Sequence, residues 1–380
     1  MIRLIQGAAL ITLSLAGCTM RPAAAPLPDA ASVDSTTRAL MQRGQVQGLA
    51  LAIIDGGAVA QVAAYGIRNA ARDPLTPQTI MYGASLTKTA FAHLVLQLVD
   101  EGRLDLDAPI AELLPRPLPE YDDYHDLAGD DRWKALTMRI LLTHTTGFAN
   151  FRWLEDDGKL RFHHAPGSRY GYSGEGFYIA QLVLEEALGL DVGHEMQARV
   201  FDRFGMTRTS MQWRPDFREN LADGFKEDGT TEPHDERSSV SAAGSMDTDI
   251  EDQARLWAGI VRGDGISASA RAELVRPQHA ITSAHQFPTL TAADEPANKA
   301  IGLSAGLGLV TIQGASGTLW FKGGHNPWTG NMLICLEAQK RCLVLLSNDV
   351  RAERIFPELA RAILGETAMP WRWEYDWYRP

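Results

Sequence analysis

Ser85 and Lys88 stand at positions i and i+3 of the stretch Met81-Tyr-Gly-Ala-Ser-Leu-Thr-Lys-Thr-Ala-Phe. Phe91, Leu94, Val95, Leu98 and Val99 follow at helical spacing, so the stretch reads as the start of a buried helix. Residues so spaced share a helix face, which lets the hydroxyl and the amine meet. At a helix start the unpaired backbone N–H groups make the field locally positive. That field disfavours a second positive charge and helps Lys88 give up its proton. A neutral lysine beside a serine can take the hydroxyl proton and turn the serine into a nucleophile.

Two other stretches carry groups of matching chemistry. In Pro166-Gly-Ser-Arg-Tyr-Gly-Tyr172-Ser173-Gly174, a Gly-rich turn just before a helix can push the Tyr172 phenol into a cleft. A phenol beside ammonium groups has its charged form favoured, so Tyr172 can share base duty with Lys88. Trp320-Phe-Lys322-Gly323-Gly324-His325 lies at the end of an expected strand. Its two glycines let another backbone approach closely. A strand edge ending this way can turn a backbone N–H toward a substrate carbonyl. With the N–H of Ser85 it would form an oxyanion hole, typically the largest electrostatic contribution to acyl transfer.

These residues are far apart in the chain, so the elements must bring them together. Residues 47–54 and 58–65 read as a strand hairpin around Asp55-Gly56-Gly57. The Ser85 helix follows and stops at Asp100-Glu-Gly-Arg. Residues 104–114 read as an extended stretch with a helical turn, 137–143 as a short buried helix and 150–170 as a long loop. Helices are expected over 175–187, 192–204 and 247–261, the last with Thr248 as N-cap. Residues 264–300 read as loop and helix. Strands are expected over 302–312, 318–322, 332–336 and 342–347, and a helix over 354–364. The expected fold is therefore α+β, an α/β sandwich. One antiparallel sheet is built from both chain ends and flanked by helices, with an inserted all-helical part. Ser85 falls where the two parts meet, a common place for a cleft.

The chain has 380 residues and a net charge of −11 spread along its length. It has no Lys/Arg-rich run, which argues against nucleic-acid binding. At the N-terminus, Arg3 precedes a short apolar segment that ends in Leu15-Ala16-Gly17-Cys18. The segment is too short to span a bilayer and has the layout of an export signal. Leu-Ala-Gly-Cys resembles the bacterial lipoprotein box. That resemblance implies cleavage before Cys18 and lipid on its sulfur and new amino group. The Ala/Pro-rich residues 20–32 read as a solvated tether. Thr19 offers no inner-membrane retention cue, so we expect a periplasmic protein anchored to the outer membrane of the cell envelope. Cys335 and Cys342 flank a turn near Ala338-Gln339, which puts them opposite each other on two strands. Export permits a disulfide between them; cross-strand geometry is tight, and two buried thiols are the alternative.

The three motifs together resemble the serine β-lactamase and penicillin-binding protein superfamily, most nearly its class C-like serine hydrolases, which include esterases and D-amino-acid peptidases. That family orders its motifs S-x-x-K, Y-x-N, then K-T-G or H-x-G, and their counterparts occur in that order in this chain. Leu141-Leu-Thr-His-Thr-Thr-Gly-Phe, Phe204-Gly-Met-Thr-Arg-Thr and Ala242-Ala-Gly-Ser-Met-Asp-Thr resemble other landmarks of the family. The resemblance implies that Ser85 is the acylated nucleophile and Lys88 the general base. Tyr172 would be a second base that returns the proton to the leaving group. Lys322 would tune Tyr172 or receive a substrate carboxylate. The backbone N–H groups of Ser85 and His325 would form the oxyanion hole, with Gly323, Gly324 and His325 along the substrate. The resemblance implies no metal and no cofactor. It implies a small-molecule or peptide substrate, and we expect a monomer.

Two positions depart from the family pattern. Gly174 stands where the family often has Asn, and the triplet is Lys-Gly-Gly rather than Lys-Thr-Gly. Both departures count against an efficient β-lactamase and for ester or peptide substrates.

Other motifs are read as ordinary structure. His194-Glu195-Met-Gln-Ala198 lacks the second histidine of a zinc protease. His163 and His164 read as solvated, and His144 as structural. No G-x-S-x-G occurs. The aromatic tail 371–380 is expected to pack over the sheet. The organisation is then a signal over 1–17, a tether over 18–33, a hydrolase domain over 34–370 and the tail. A non-catalytic cell-wall-binding or sensor lipoprotein on the same fold is the alternative of a different class.

Overall fold

The computed structural model describes residues 26–314 and 317–377, so Cys18 and the signal segment lie outside the described residues. In chain order the main elements are α1 (Ala30–Gly44), β1 (Gly48–Asp55), β2 (Ala58–Gly66), α2 (Leu86–Asp100), α3 (Gly174–Leu182) and α4 (Ile250–Arg262). They continue with β3 (His279–Ala280), β4 (Ser304–Ala305), β5 (Val310–Gly314), β6 (Gly317–Asn326), β7 (Thr329–Leu336), β8 (Arg341–Ser347), α5 (Phe356–Leu364) and α6 (Trp371–Glu374). The eight strands form one sheet in the order β2-β1-β8-β7-β6-β5-β4-β3, all neighbours antiparallel. As expected, strands from both chain ends share the sheet, and the long middle is mainly helical.

The central strands carry continuous apolar runs, as in residues 49–54 and 342–346, because both faces of the sheet are covered. Leu49, Leu51 and Ile53 of β1 and Leu343 and Leu345 of β8 join one core with residues of α1 and α5. Ala50, Ala52 and Ile54, with Val344 and Leu346, join a second core with α2 and α4. Alternation along a strand sends successive side chains to opposite faces, so both cores grow from the same short runs. Cys335 and Cys342 are paired in register on β7 and β8 and joined by a disulfide, buried in the second core.

Three expectations need correction. Residues 302–312 are not one strand: Gly306 N donates to Leu309 O at 2.9 Å, and this turn separates β4 from β5. The turn is pinned to α2 by Thr89 Oγ1, which donates to Gly308 O at 2.6 Å. The helix expected from 247 starts at Ile250, and its N-cap is Asp249 rather than Thr248; Asp249 accepts from Asp252 N at 2.8 Å. Residues 247–248 pair instead with Met81–Tyr82, next to Ser85. Finally, the solvated tether does not reach residue 32. Asp29 caps α1 through Ser32 N at 2.8 Å, and Val33 is buried against the sheet.

Candidate active site

The turn before α2 is built to expose Ser85. Ala84 takes a left-handed backbone, φ 48°, and Ser85 sits at the N-cap position of α2. A non-glycine residue there costs of order 1–3 kcal/mol and persists only where its surroundings impose it. Those surroundings are visible. Gly83 N donates to Met246 O at 2.8 Å, Asn331 Nδ2 to Tyr82 O at 2.9 Å, and Thr87 Oγ1 to Ala84 O at 2.6 Å. Sheet, helix and helical part thus all hold the same turn.

One turn further on, the buried Lys88 donates from Nζ to Ser85 Oγ at 3.1 Å and also to Ala243 O. Its ammonium lies over the rings of Tyr172 and Phe177, at 5.1 and 5.4 Å. Burial pushes its pKa down from 10.5 to about 8, and the charge of Lys322 pushes the same way; Tyr172 opposes both. A substantial neutral fraction near neutral pH is what proton abstraction requires.

Tyr172 comes from the residue just before the cap of α3. Ser173 accepts from Gly176 N at 3.3 Å and donates to Ala149 O at 2.9 Å, which fixes where the chain enters the helix. The Tyr172 hydroxyl donates to Ser85 Oγ at 2.8 Å and accepts from Lys322 Nζ at 3.1 Å. Lys322 is buried and also donates to Gly323 O at 2.8 Å. The four expected groups therefore form one connected set, Lys88–Ser85–Tyr172–Lys322.

β6 runs alongside this set. Its pairing with β5 ends at Phe321, and its pairing with β7 continues to Asn326. Residues 322–326 thus form a strand edge with one side turned from the sheet toward Ser85. A Cβ at Gly324 would lie 3.0 Å from Ser85 N, so glycine there permits the close backbone approach that the sequence suggests. The cleft between Ser85 and this edge encloses about 450 Å³ and is lined by the aromatic rings of Phe151, Trp153, Tyr178 and Phe287. His325 lines the cleft too. Its imidazole is exposed, with Nδ1 3.6 Å from Glu353 Oε1, and desolvation in the cleft together with the charges of Lys322 and Lys88 draws its pKa below the ordinary value.

The two departures have physical counterparts. A Cβ at position 174 would lie 2.2 Å from Phe151 Cε1, so the phenyl ring fills the space an Asn side chain would need. Asn150 and Arg152 hold Phe151 there. Gly174 N donates to Asn150 O at 2.8 Å, and Arg152 pairs with the fully buried Glu175 at 2.7 Å. Trp153 stacks on Phe151 with centroids 4.2 Å apart. At position 323 a Cβ would lie 2.1 Å from Glu374 Oε1. The carboxylate of Glu374, at the end of α6, reaches the cleft beside Lys322.

Sequence reasoning missed Glu374, while His144, read as structural, packs against Tyr172. The tail does pack over the sheet: Trp373 is buried against Tyr170 and Phe321, with centroids 5.8 and 6.3 Å away. Glu374 is the one acidic residue inside that aromatic run that burial brings to the cleft, and the absence of a side chain at 323 is its only local signal. His144 lies 4.2 Å from the Tyr172 ring, and its Nδ1 accepts from Ser173 N at 3.1 Å. Burial and the two lysine charges hold it neutral. His163 meets Glu155, and His194 is exposed on its helix. Among the described residues no His/Cys/Asp/Glu cluster could hold a metal ion.

Comparison with known proteins gives the chain a family and a fold. The family model described as beta-lactamase matches residues 33–367. A beta-lactamase of Pseudomonas fluorescens is 28% identical over 188 residues, 47% of this chain and 49% of that one. A lovastatin esterase of Penicillium rubens is 28% identical over 221 residues, 50% of this chain and 54% of that one. The chain thus spans about half the length of these curated relatives. A solved structure titled beta-lactamase/D-alanine carboxypeptidase, from Pseudomonas syringae, superposes with a TM-score of 0.70 at 18% identity, covering 90% of this chain and 99% of that one. At that identity the likeness speaks for the fold.

Proposed function

The chain belongs to the β-lactamase family, a family of serine hydrolases, and on that premise we propose that it cleaves an ester or amide through an acyl-serine intermediate. The observation that carries the reading is the hydrogen-bonded set around Ser85 Oγ, with Tyr172 at 2.8 Å and Lys88 at 3.1 Å. In this mechanism neutral Lys88 takes the Ser85 proton as Oγ attacks the substrate carbonyl. The Ser85–carbonyl bond forms, and the carbonyl oxygen becomes an oxyanion held by the N–H groups of Ser85 and His325. Tyr172, with Lys322 on its hydroxyl, gives its own proton to the departing alcohol or amine as the bond to carbon breaks, and takes the proton held by Lys88 in its place. Water then attacks the acyl carbon and gives its proton to the Tyr172–Lys88 pair; the acyl–Oγ bond breaks, the acid leaves, and that proton returns to Ser85 Oγ.

Carboxylic esters and uncharged peptides are favoured over β-lactams. Both positions that depart from the family pattern are filled by other side chains, and the aromatic lining suits an apolar acyl group. The similarity to an esterase supports the same preference. We extend the reading to a monomeric protein held at the periplasmic face of the outer membrane by lipid on Cys18, on the strength of the leader and Leu-Ala-Gly-Cys. The test of the reaction is hydrolysis of a panel of p-nitrophenyl esters, D-amino-acid peptides and β-lactams. Ser85→Ala should lose at least ~10³-fold on the best substrate, and Lys88→Ala at least ~10²-fold, the usual scale of a general base. Full activity in Ser85→Ala would place the nucleophile elsewhere, and a native protein that turns over none of the panel would favour a binding or sensor role for the fold.

A further inference from the structure

Glu374 is an unexpected group at the end of the cleft. It arrives there from the last described helix, far in sequence from Ser85, and three contacts hold it in place. Trp373 packs against Tyr170 and Phe321, Gln286 N donates to Trp373 O at 2.9 Å, and Gln286 Nε2 donates to Glu374 Oε2 at 2.7 Å. Gln286 is itself oriented by the Tyr170 hydroxyl, which donates to its Oε1 at 2.9 Å. One carboxylate oxygen is thus fixed. The other, Oε1, is buried without a hydrogen-bond partner among the described residues. It stands 2.1 Å from where a Cβ of residue 323 would be, beside Lys322 on the strand edge.

This corner of the cleft is where Lys322 would otherwise receive an anionic group of the substrate. Glu374 already places a carboxylate of the chain in that corner, near enough for its charge to act on Lys322. A second carboxylate arriving there meets a like charge in a partly water-excluded site, which disfavours its binding. A buried acceptor oxygen left without a donor is also costly, so a ligand N–H or O–H reaching Oε1 gains what a ligand carboxylate cannot. We propose that Glu374 is a specificity-determining residue that makes the cleft reject substrates with a carboxylate next to the scissile bond and accept their uncharged, hydrogen-bond-donating counterparts. This rests on the serine-hydrolase reading above and narrows its substrate class to neutral esters and amides. Burial pushes the Glu374 carboxyl up toward neutrality while Lys322 and Gln286 draw it back. The rejection belongs to the charged form, so the substrates are compared on the alkaline side, where the carboxyl is ionised.

The experiment uses a matched pair of acyl depsipeptides that differ only at the end of the leaving group, one a free carboxylate and the other its carboxamide. The full chain should prefer the carboxamide by at least ~10-fold in kcat/KM, the equivalent of one like-charge contact. Glu374→Gln, close in shape and able to keep the Gln286 contact, should erase most of that preference. Glu374→Ala should reverse it, chiefly by lowering KM for the carboxylate. A native protein that prefers the carboxylate overturns the inference whatever the variants do. So does a carboxamide-to-carboxylate ratio that stays within about twofold of native in both variants. Fluorophosphonate labelling of the same preparations separates the two levels. If the native protein labels at Ser85 and the ratio does not move, the specificity assignment alone falls. If it does not label, the hydrolase reading falls, and this inference with it.

Discussion

Lys88 is the residue on which the pH behaviour turns. Its neutral form is the base, and burial brings its pKa to about 8. Acylation should therefore rise with pH through about 8 and level off above it. Lys322 is one of the charges that lower that value, so Lys322→Met should move the rising limb to higher pH as well as slow the reaction. The check is the pH profile of kcat/KM; a limb that stays put in the variant would mean that another group titrates. The same burial carries a stability cost. The unfolded chain binds the Lys88 proton more tightly than the folded one, so the cost is full below about pH 8 and vanishes as pH rises to 10.5. Converted at 1.36 kcal/mol per unit, it is on the order of 3 kcal/mol. Lys88→Met should accordingly raise the unfolding midpoint at pH 7 while abolishing turnover; a lower midpoint would show that the hydrogen bonds to Ser85 and Ala243 outweigh desolvation. The Ser85–Lys88 pair was legible in the sequence because i and i+3 on one helix is a local relation. Glu374 was not, because it reaches the cleft through neighbours that are distant in the chain.

At the level of elements, the entry into α3 decides how Tyr172 is presented. The strap 150–152 crosses the start of that helix, with Asn150 accepting its N–H groups and Phe151 over Gly174. Gly174→Asn should clash with the ring, lower the unfolding midpoint and misplace Tyr172, cutting activity. Phe151→Ala in the same chain should restore part of both losses. Because the two residues touch, their effects should be non-additive by 0.5–3 kcal/mol, the usual range for contacting pairs. Purely additive effects in a double-mutant cycle would show that Phe151 is not what excludes a side chain at 174. The sequence carried the glycine but not its reason, since the ring comes from a loop without periodicity. Helix α4 gives a smaller case. Thr248 and Asp249 are both good caps, and the choice went to Asp249 because residues 247–248 are used to pair with 81–82 under Ser85. The interruption at 306–309 has the same origin, a turn recruited to pin α2.

Across the whole molecule, one sheet assembled from both ends of the chain supports a helical part, and the reactive groups lie along their seam. Ser85 and Lys88 come from the start of α2, Tyr172 from the start of α3, Lys322 from a sheet edge and Glu374 from the tail. The sheet was readable because strands buried on both faces leave continuous apolar runs, as in residues 49–54 and 342–346. α1 was not read, since its short buried set (Val33, Thr37, Leu40 and Met41) is a weak stripe that only the sheet beneath it makes stable. The proposed anchor belongs to this scale as well. Cys18→Ser should move the protein from the membrane to the soluble envelope fraction, and unchanged fractionation would refute lipid attachment. The most direct test of the central claim, that Ser85 is activated by the groups gathered around it, is the intact mass of the protein after fluorophosphonate treatment. The account predicts one adduct per chain, on the peptide containing Ser85, formed at least ~10²-fold more slowly in Lys88→Ala. An adduct that persists in Ser85→Ala, or a native protein that takes up none, would contradict it.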